Sequence, residues 1–193
     1  MHRNLPRILS LCLLVAIGLC VSYFATQRYS AAAHPGGTTG DTIQEINGYR
    51  GWTKVNPEPQ RMPDQTAALC AVAVMPTVNP HRDKYLTVYV NDIGRAAMLE
   101  QKAPAFPEGS IIVKEKLSEK SSQAPELMTV MIKRAKGFNP PSGDWEYMVV
   151  DGTGTKVMAQ GKLDNCQSCH RGKPGTDYVF RSYLPDEVTS KLK

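Results

Sequence analysis

From Lys84 to Gly161 the chain carries five short runs rich in β-branched and aromatic residues, separated by Gly, Pro, Asn and Asp: "KYLTVYVN", "GSIIVKEKL", "ELMTVMIKRA", "WEYMVV" and "KVMAQG". Such runs read as strands. The last two are joined by "DGTGT", a Gly-rich hairpin signal. Consecutive strands at this spacing predict an antiparallel sheet. Helical patterns are fewer: "DTIQEINGYRGW" with Asp41 as cap, "DQTAALCAVAV" capped by Asp64, and "NDIGRAAMLEQKA" capped by Asn91 or Asp92, with Pro76 and Pro104 stopping the last two. The segment "TDYVFRSYL" reads as a final short helix or packing segment. The expected fold class is therefore α+β: a mainly antiparallel sheet with a few short helices, and a Cys-x-x-Cys-His turn near the C-terminus.

That turn is "CQSCH", Cys166 to His170. Two thiols three positions apart, followed at once by an imidazole, suit a c-type haem. The thiols can meet two vinyl groups, and the imidazole can reach the iron from one face. Three other readings exist for the pentapeptide. A zinc site needs a second ligand pair, and beyond the leader only Cys70 remains. A thioredoxin-like dithiol needs a βαβ setting, which the strand order does not offer. A plain disulfide between Cys166 and Cys169 is the third. Cys70, in an apolar helical pattern, reads as a small buried hydrophobe.

The N-terminus bears on this choice. A basic "MHRNLPR" precedes an apolar run of 18 residues, and Ala31 and Ala33 form an A-x-A site before His34. Residues 1–33 read as a signal peptide or an uncleaved N-terminal membrane anchor. Residues 34–41 read as a flexible tether and residues 42–193 as one haem domain. The expected location is the periplasm or the exterior, where covalent haem attachment is at home. Cys12 and Cys20, each preceded by Leu, read as apolar filler rather than lipid attachment sites.

Without residues 1–33 the chain loses Arg3, Arg7 and Arg28 and no acid, so the net charge falls from +5 to +2. The remaining lysines alternate with glutamates, as in "VKEKLSEK". A nucleic-acid partner is not expected from such a surface.

The sixth coordination position would decide the chemistry. His81, in "VNPHRDKY", reads as a loop residue. Met98, Met128, Met131, Met148 and Met158 lie in helix or strand patterns, where core packing is their ordinary use. A methionine ligand would make an electron carrier, whereas an open position would bind small molecules.

Three pieces, "FPEGSIIVKEKL", "GDWEYMVVDGTGT" and "CQSCH" followed by "TDYVF", make the region from Tyr49 to Leu184 resemble the cytochrome P-460 family, which includes the β-type cytochromes c′. The resemblance implies an often dimeric, mainly antiparallel domain holding one haem c through Cys166 and Cys169, with His170 on the iron and an open distal side. It implies either hydroxylamine oxidation, with a lysine also bonded to the macrocycle and a distal carboxylate, or binding of nitric oxide and carbon monoxide in an apolar pocket. The small gaseous or nitrogenous ligand and a redox partner protein are the partners implied.

Lys114 matches the crosslinking lysine by motif. Alternation opposes this: Ser110, Ile112, Lys114 and Lys116 share the more polar face of their strand, which predicts a solvent-facing lysine. The carboxylate position falls at Thr129, a residue that can donate a hydrogen bond but cannot act as a base near neutral pH. Glu115 and Glu126 are the nearby carboxylates that could take its place.

Overall fold

The computed structural model describes residues 43–69 and 82–192. The leader, the tether, Asp41, Cys70, Pro76 and His81 lie outside these residues.

Seven strands form one antiparallel sheet: β1 (Thr53–Lys54), β2 (Gln60–Arg61), β3 (Tyr85–Val90), β4 (Ile111–Leu117), β5 (Leu127–Lys133), β6 (Trp145–Asp151) and β7 (Val157–Gly161). Their order is β1, β3, β4, β5, β6, β7, with β2 beside β1 on the same edge of β3. The five runs read from the sequence are β3 to β7, and the fold is α+β with the sheet dominant. The two-residue strands β1 and β2 carry no periodicity to read. Asn56, fully buried, holds them on: its Nδ2 donates to the Leu86 carbonyl and its Oδ1 accepts from the Val88 N–H, each at 2.8 Å.

The β6–β7 turn is closed by Asp151, whose Oδ1 accepts from the backbone N–H groups of Thr155 at 3.0 Å and Lys156 at 2.9 Å. Among the described residues four helices of six residues or more complete the fold: α1 (Asp64–Leu69), α2 (Asp92–Leu99), α3 (Asp164–His170) and α4 (Asp186–Lys191). Asn91 is the cap of α2, and the same Oδ1 that accepts from Gly94 N also accepts from Ile111 N, which fixes the helix to β4. The helix expected over 41–52 is broken: one helical turn at residues 43–45 gives way at Gly48, in the left-handed region at φ 74°, and a 3-10 turn follows at Tyr49–Gly51. The segment 176–184 is not a helix. Its first residue, Thr176, ends a 3-10 turn, and Val179, Tyr183 and Leu184 are buried as packing residues.

Both faces of the sheet are covered. On one, Val88, Val90, Ile112, Met131, Trp145 and Tyr147 pack with Met98, Phe106, Val179, Tyr183 and Leu184. On the other, Val113, Met128, Val130, Ile132, Met148 and Val150 pack with Ile46, Tyr49 and Trp52. A sheet covered on both sides has strands buried nearly throughout, as β4 is, so alternation along a strand no longer separates core from solvent.

Candidate functional site

Helix α3 presents Cys166, Cys169 and His170 at spacings of three and four, which brings them onto one helical face. Gln167, between the cysteines and almost fully buried, points the other way. Its Nε2 donates to the Lys162 carbonyl at 2.7 Å, and its Oε1 accepts from Ser142 Oγ at 3.0 Å. These bonds pin the helix to the 3-10 turn at Pro140–Ser142, so the thiol-bearing face is turned toward a cavity.

The cavity has a volume of about 1020 Å³ counted out to its mouth. One wall is Cys166, Cys169 and His170. The sheet supplies Ile112, Lys114, Thr129, Met131 and Tyr147, and the C-terminal segment supplies Val179, Phe180 and Tyr183. Gln60 to Pro63 also line it.

His170 is the best-defined group in it. Its Nδ1 lies 2.7 Å from the Tyr178 carbonyl oxygen. A carbonyl only accepts, so Nδ1 carries the proton and Nε2 keeps its lone pair. The ring is packed between Tyr147, centroid 5.3 Å away, and Phe180, 5.1 Å away and edge-on. Burial, then the positive charge of Lys114, lowers the imidazole pKa from 6.5 to about 4, so the ring is neutral at physiological pH.

Lys114 is therefore not a solvent-facing lysine. It lines the cavity, because the polar-looking face of β4 is the one that the C-terminal segment and α3 cover. Lys114 and Thr129 are direct cross-strand neighbours, so the structure brings together all five residues singled out by sequence: Lys114, Thr129, Cys166, Cys169 and His170.

The two carboxylates proposed as substitutes go elsewhere. Glu115 points to the opposite face of the sheet, where Tyr49 Oη donates to it at 2.5 Å and Arg50 pairs with it at 2.8 Å. Glu126 pairs with Lys84. Among the described residues lining the cavity there is no Asp or Glu. Of the five methionines, Met131 and Met148 line the cavity, Met98 and Met128 are core, and Met158 is exposed.

Sequence reading missed Tyr147, Phe180 and the Tyr178 carbonyl. The alternation of "WEYMVV" puts Tyr147 on the same face as Trp145, but nothing local tells which face holds the cavity. The Tyr147 hydroxyl is buried with no hydrogen-bond partner among the described residues, and burial, then the neighbouring Cys166, raises its pKa.

Residues 46–181 match the model of the family described as Cytochrome P460. The chain belongs to that family. Among curated proteins none matches it. Membership makes the chain a c-type haem protein, and the residues present fit that group. Cys166 and Cys169 are present as thiols. An imidazole nitrogen with its lone pair available stands next to them. The orphaned Tyr147 hydroxyl is a buried polar atom for which a larger ligand could provide a partner.

Proposed function

We propose that this member of the cytochrome P460 family is an exported mono-haem c-type cytochrome that binds a small nitrogenous molecule, hydroxylamine or a nitrogen oxide, and changes its oxidation state. The observation that carries this reading is the wall formed by Cys166, Cys169 and His170, with Nδ1 of the imidazole committed to Tyr178, facing a cavity that also contains Lys114 and Thr129.

In this reading Cys166 and Cys169 would hold one haem by thioether bonds and His170 would bind its iron through Nε2. When bound, the haem supplies the ferric–ferrous couple and a coordination position for the small ligand. The protein's part is positioning. The Tyr178 carbonyl keeps the proton on Nδ1 and stops the ring from turning. The Lys114 ammonium and the Thr129 hydroxyl can each donate a hydrogen bond to an oxygen or nitrogen in the cavity. Ile112, Met131 and Phe180 reduce its access to water. Lys114 is also the residue that could bond to the macrocycle. The basic, apolar leader supports export, with or without retention as an anchor, and the family resemblance supports a homodimer working with a redox partner protein.

A second reading, a gas binder without turnover, is favoured by one observation: the described cavity lining offers no carboxylate to accept protons from hydroxylamine.

The test is the intact mass and visible spectrum of the exported protein, followed by digestion and mapping of the haem peptide. Haem on the "CQSCH" peptide and on the peptide carrying Lys114 supports the oxidase reading. Haem on "CQSCH" alone moves the reading to gas binding. Failure of the ferrous protein to bind carbon monoxide would indicate a sixth protein ligand, with Met131 the first candidate, and an electron carrier. A haem-free exported protein overturns the proposal.

A further inference from the structure

An axial imidazole is placed only as well as the group that holds its other nitrogen. Here that group is the Tyr178 carbonyl, and the backbone that presents it is strained. Asp177 and Tyr178 are consecutive non-glycine residues in the left-handed region, with φ of 51° and 64°. Such a pair persists only where its surroundings over-determine it.

They do so through Asp177. Both carboxylate oxygens are bonded to the ammonium of Lys133, at 2.8 and 2.6 Å, and Oδ2 also accepts from the Phe106 N–H at 2.9 Å. The Asp177 carbonyl accepts from the Trp145 indole N–H at 2.8 Å, and Trp145 is fully buried. Lys133 in turn sits with its Nζ 5.0 Å from the centre of the Trp145 ring. The side chains of Lys133 and Asp177 are only 14% and 15% exposed, so water competes little for the pair. Lys133 ends β5 and Trp145 begins β6, so the sheet holds Asp177 from two adjacent strands. Neither Lys133 nor Asp177 lines the cavity.

We propose that Asp177 and Lys133 are a positioning pair for the axial ligand: their ion pair locks the left-handed link, keeps the Tyr178 carbonyl on Nδ1 of His170, and so sets the electron donation from His170 to iron. The inference rests on the haem reading given above. A firm Nδ1–H···O bond gives the imidazole partial anionic character and makes it a stronger donor, which favours ferric over ferrous iron. Loosening the link weakens the donor and raises the reduction potential.

The test uses the full-length, haem-loaded protein and three variants. Asp177→Asn removes the charge while keeping a side chain that tolerates left-handed backbone. Lys133→Gln removes the partner, and Lys133→Arg restores it with a guanidinium that can take both oxygens. The expected result is a more positive reduction potential and a lower iron–histidine stretching frequency in the ferrous form of Asp177→Asn and Lys133→Gln, at unchanged haem content. Lys133→Arg should lie close to the parent protein. A merely structural ion pair would lower thermal stability without moving potential or frequency. Unchanged potential and frequency in both charge-removing variants overturn the proposal. If Asp177→Asn does not accumulate, the Lys133 variants decide alone. His170→Ala separates the two levels: an unchanged spectrum there removes His170 as ligand and the positioning pair with it, a haem-free parent protein removes the haem reading, and a changed spectrum beside silent Asp177 and Lys133 variants removes only the positioning pair.

Discussion

Nδ1 of His170 is bonded to the carbonyl of Tyr178, eight residues further along the chain, and this one contact fixes which imidazole nitrogen is left to the cavity. The chain from His170 to Tyr178 closes on itself through a 3-10 turn and two left-handed residues, so the Cys-x-x-Cys-His helix and the loop after it work as a single unit. A local motif supplies the donors, and the loop behind it supplies their orientation.

The neutral state of His170 gives the haem-free chain an acid sensitivity of known sign. The folded-state pKa is about 4 against 6.5 for the unperturbed group, so between those values the unfolded chain binds a proton that the folded chain refuses. Stability contributed by the neutral ring is fully present above about pH 6.5 and is lost as pH falls toward 4, at about 1.4 kcal/mol per pH unit and on the order of 3 kcal/mol in all. Urea unfolding of haem-free protein between pH 7 and pH 4 should show this slope, and His170→Gln should flatten that part of the profile. An equal slope in the two proteins would mean that other groups carry it.

If Cys166 and Cys169 hold the haem as proposed, replacing both by Ala should give a protein from which haem is extracted by acid and organic solvent, because no thioether can form while His170 and the cavity remain. Haem peptide mapping checks the outcome. Retention of haem on the protein would require an attachment such as one through Lys114, which lines the same cavity.

The sequence made the long strands and the donor residues legible, and it misled about faces. β3 to β7 could be read because each is five to seven residues of strand-forming side chains bounded by breakers. Lys114 was misplaced by alternation because that rule assumes one wet face, and here Ile46, Tyr49 and Trp52 cover one side while Val179, Tyr183 and Leu184 cover the other. Those covering residues come from irregular segments near the two ends of the domain, whose packing has no periodicity. The Tyr178 carbonyl was beyond reach for a different reason. It depends on backbone angles at Asp177 and Tyr178 that neither residue prefers, and on an ion pair between positions 44 apart in sequence.

Gly143 shows how tightly that loop is seated. It has φ +64°, and a Cβ there would stand 2.5 Å from Tyr178 Cδ2 and 2.9 Å from Asp177 Oδ1. Gly143→Ala therefore adds backbone strain to a collision with the residues that hold His170. The expected cost is roughly 2 kcal/mol or more of unfolding free energy, read from urea unfolding. A loss confined to a few tenths of that would mean the Tyr178 ring can swing aside without consequence.

Thr129 offers the sharpest separation of turnover from binding. It lies directly across from Lys114 on the cavity face of β5, where a longer acidic side chain would have an ammonium for a neighbour and the cavity for room. Thr129→Glu should raise hydroxylamine oxidation by roughly 10²-fold, the low end of what a positioned general base contributes. Thr129→Gln, of the same size but unable to take a proton, should not. The measurement is the steady-state rate with hydroxylamine and an artificial electron acceptor, at matched haem content. If the Gln variant gains as much as the Glu variant, proton transfer is not what the threonine withholds, and the carboxylate-free cavity is better read as a gas site whose shape alone was changed.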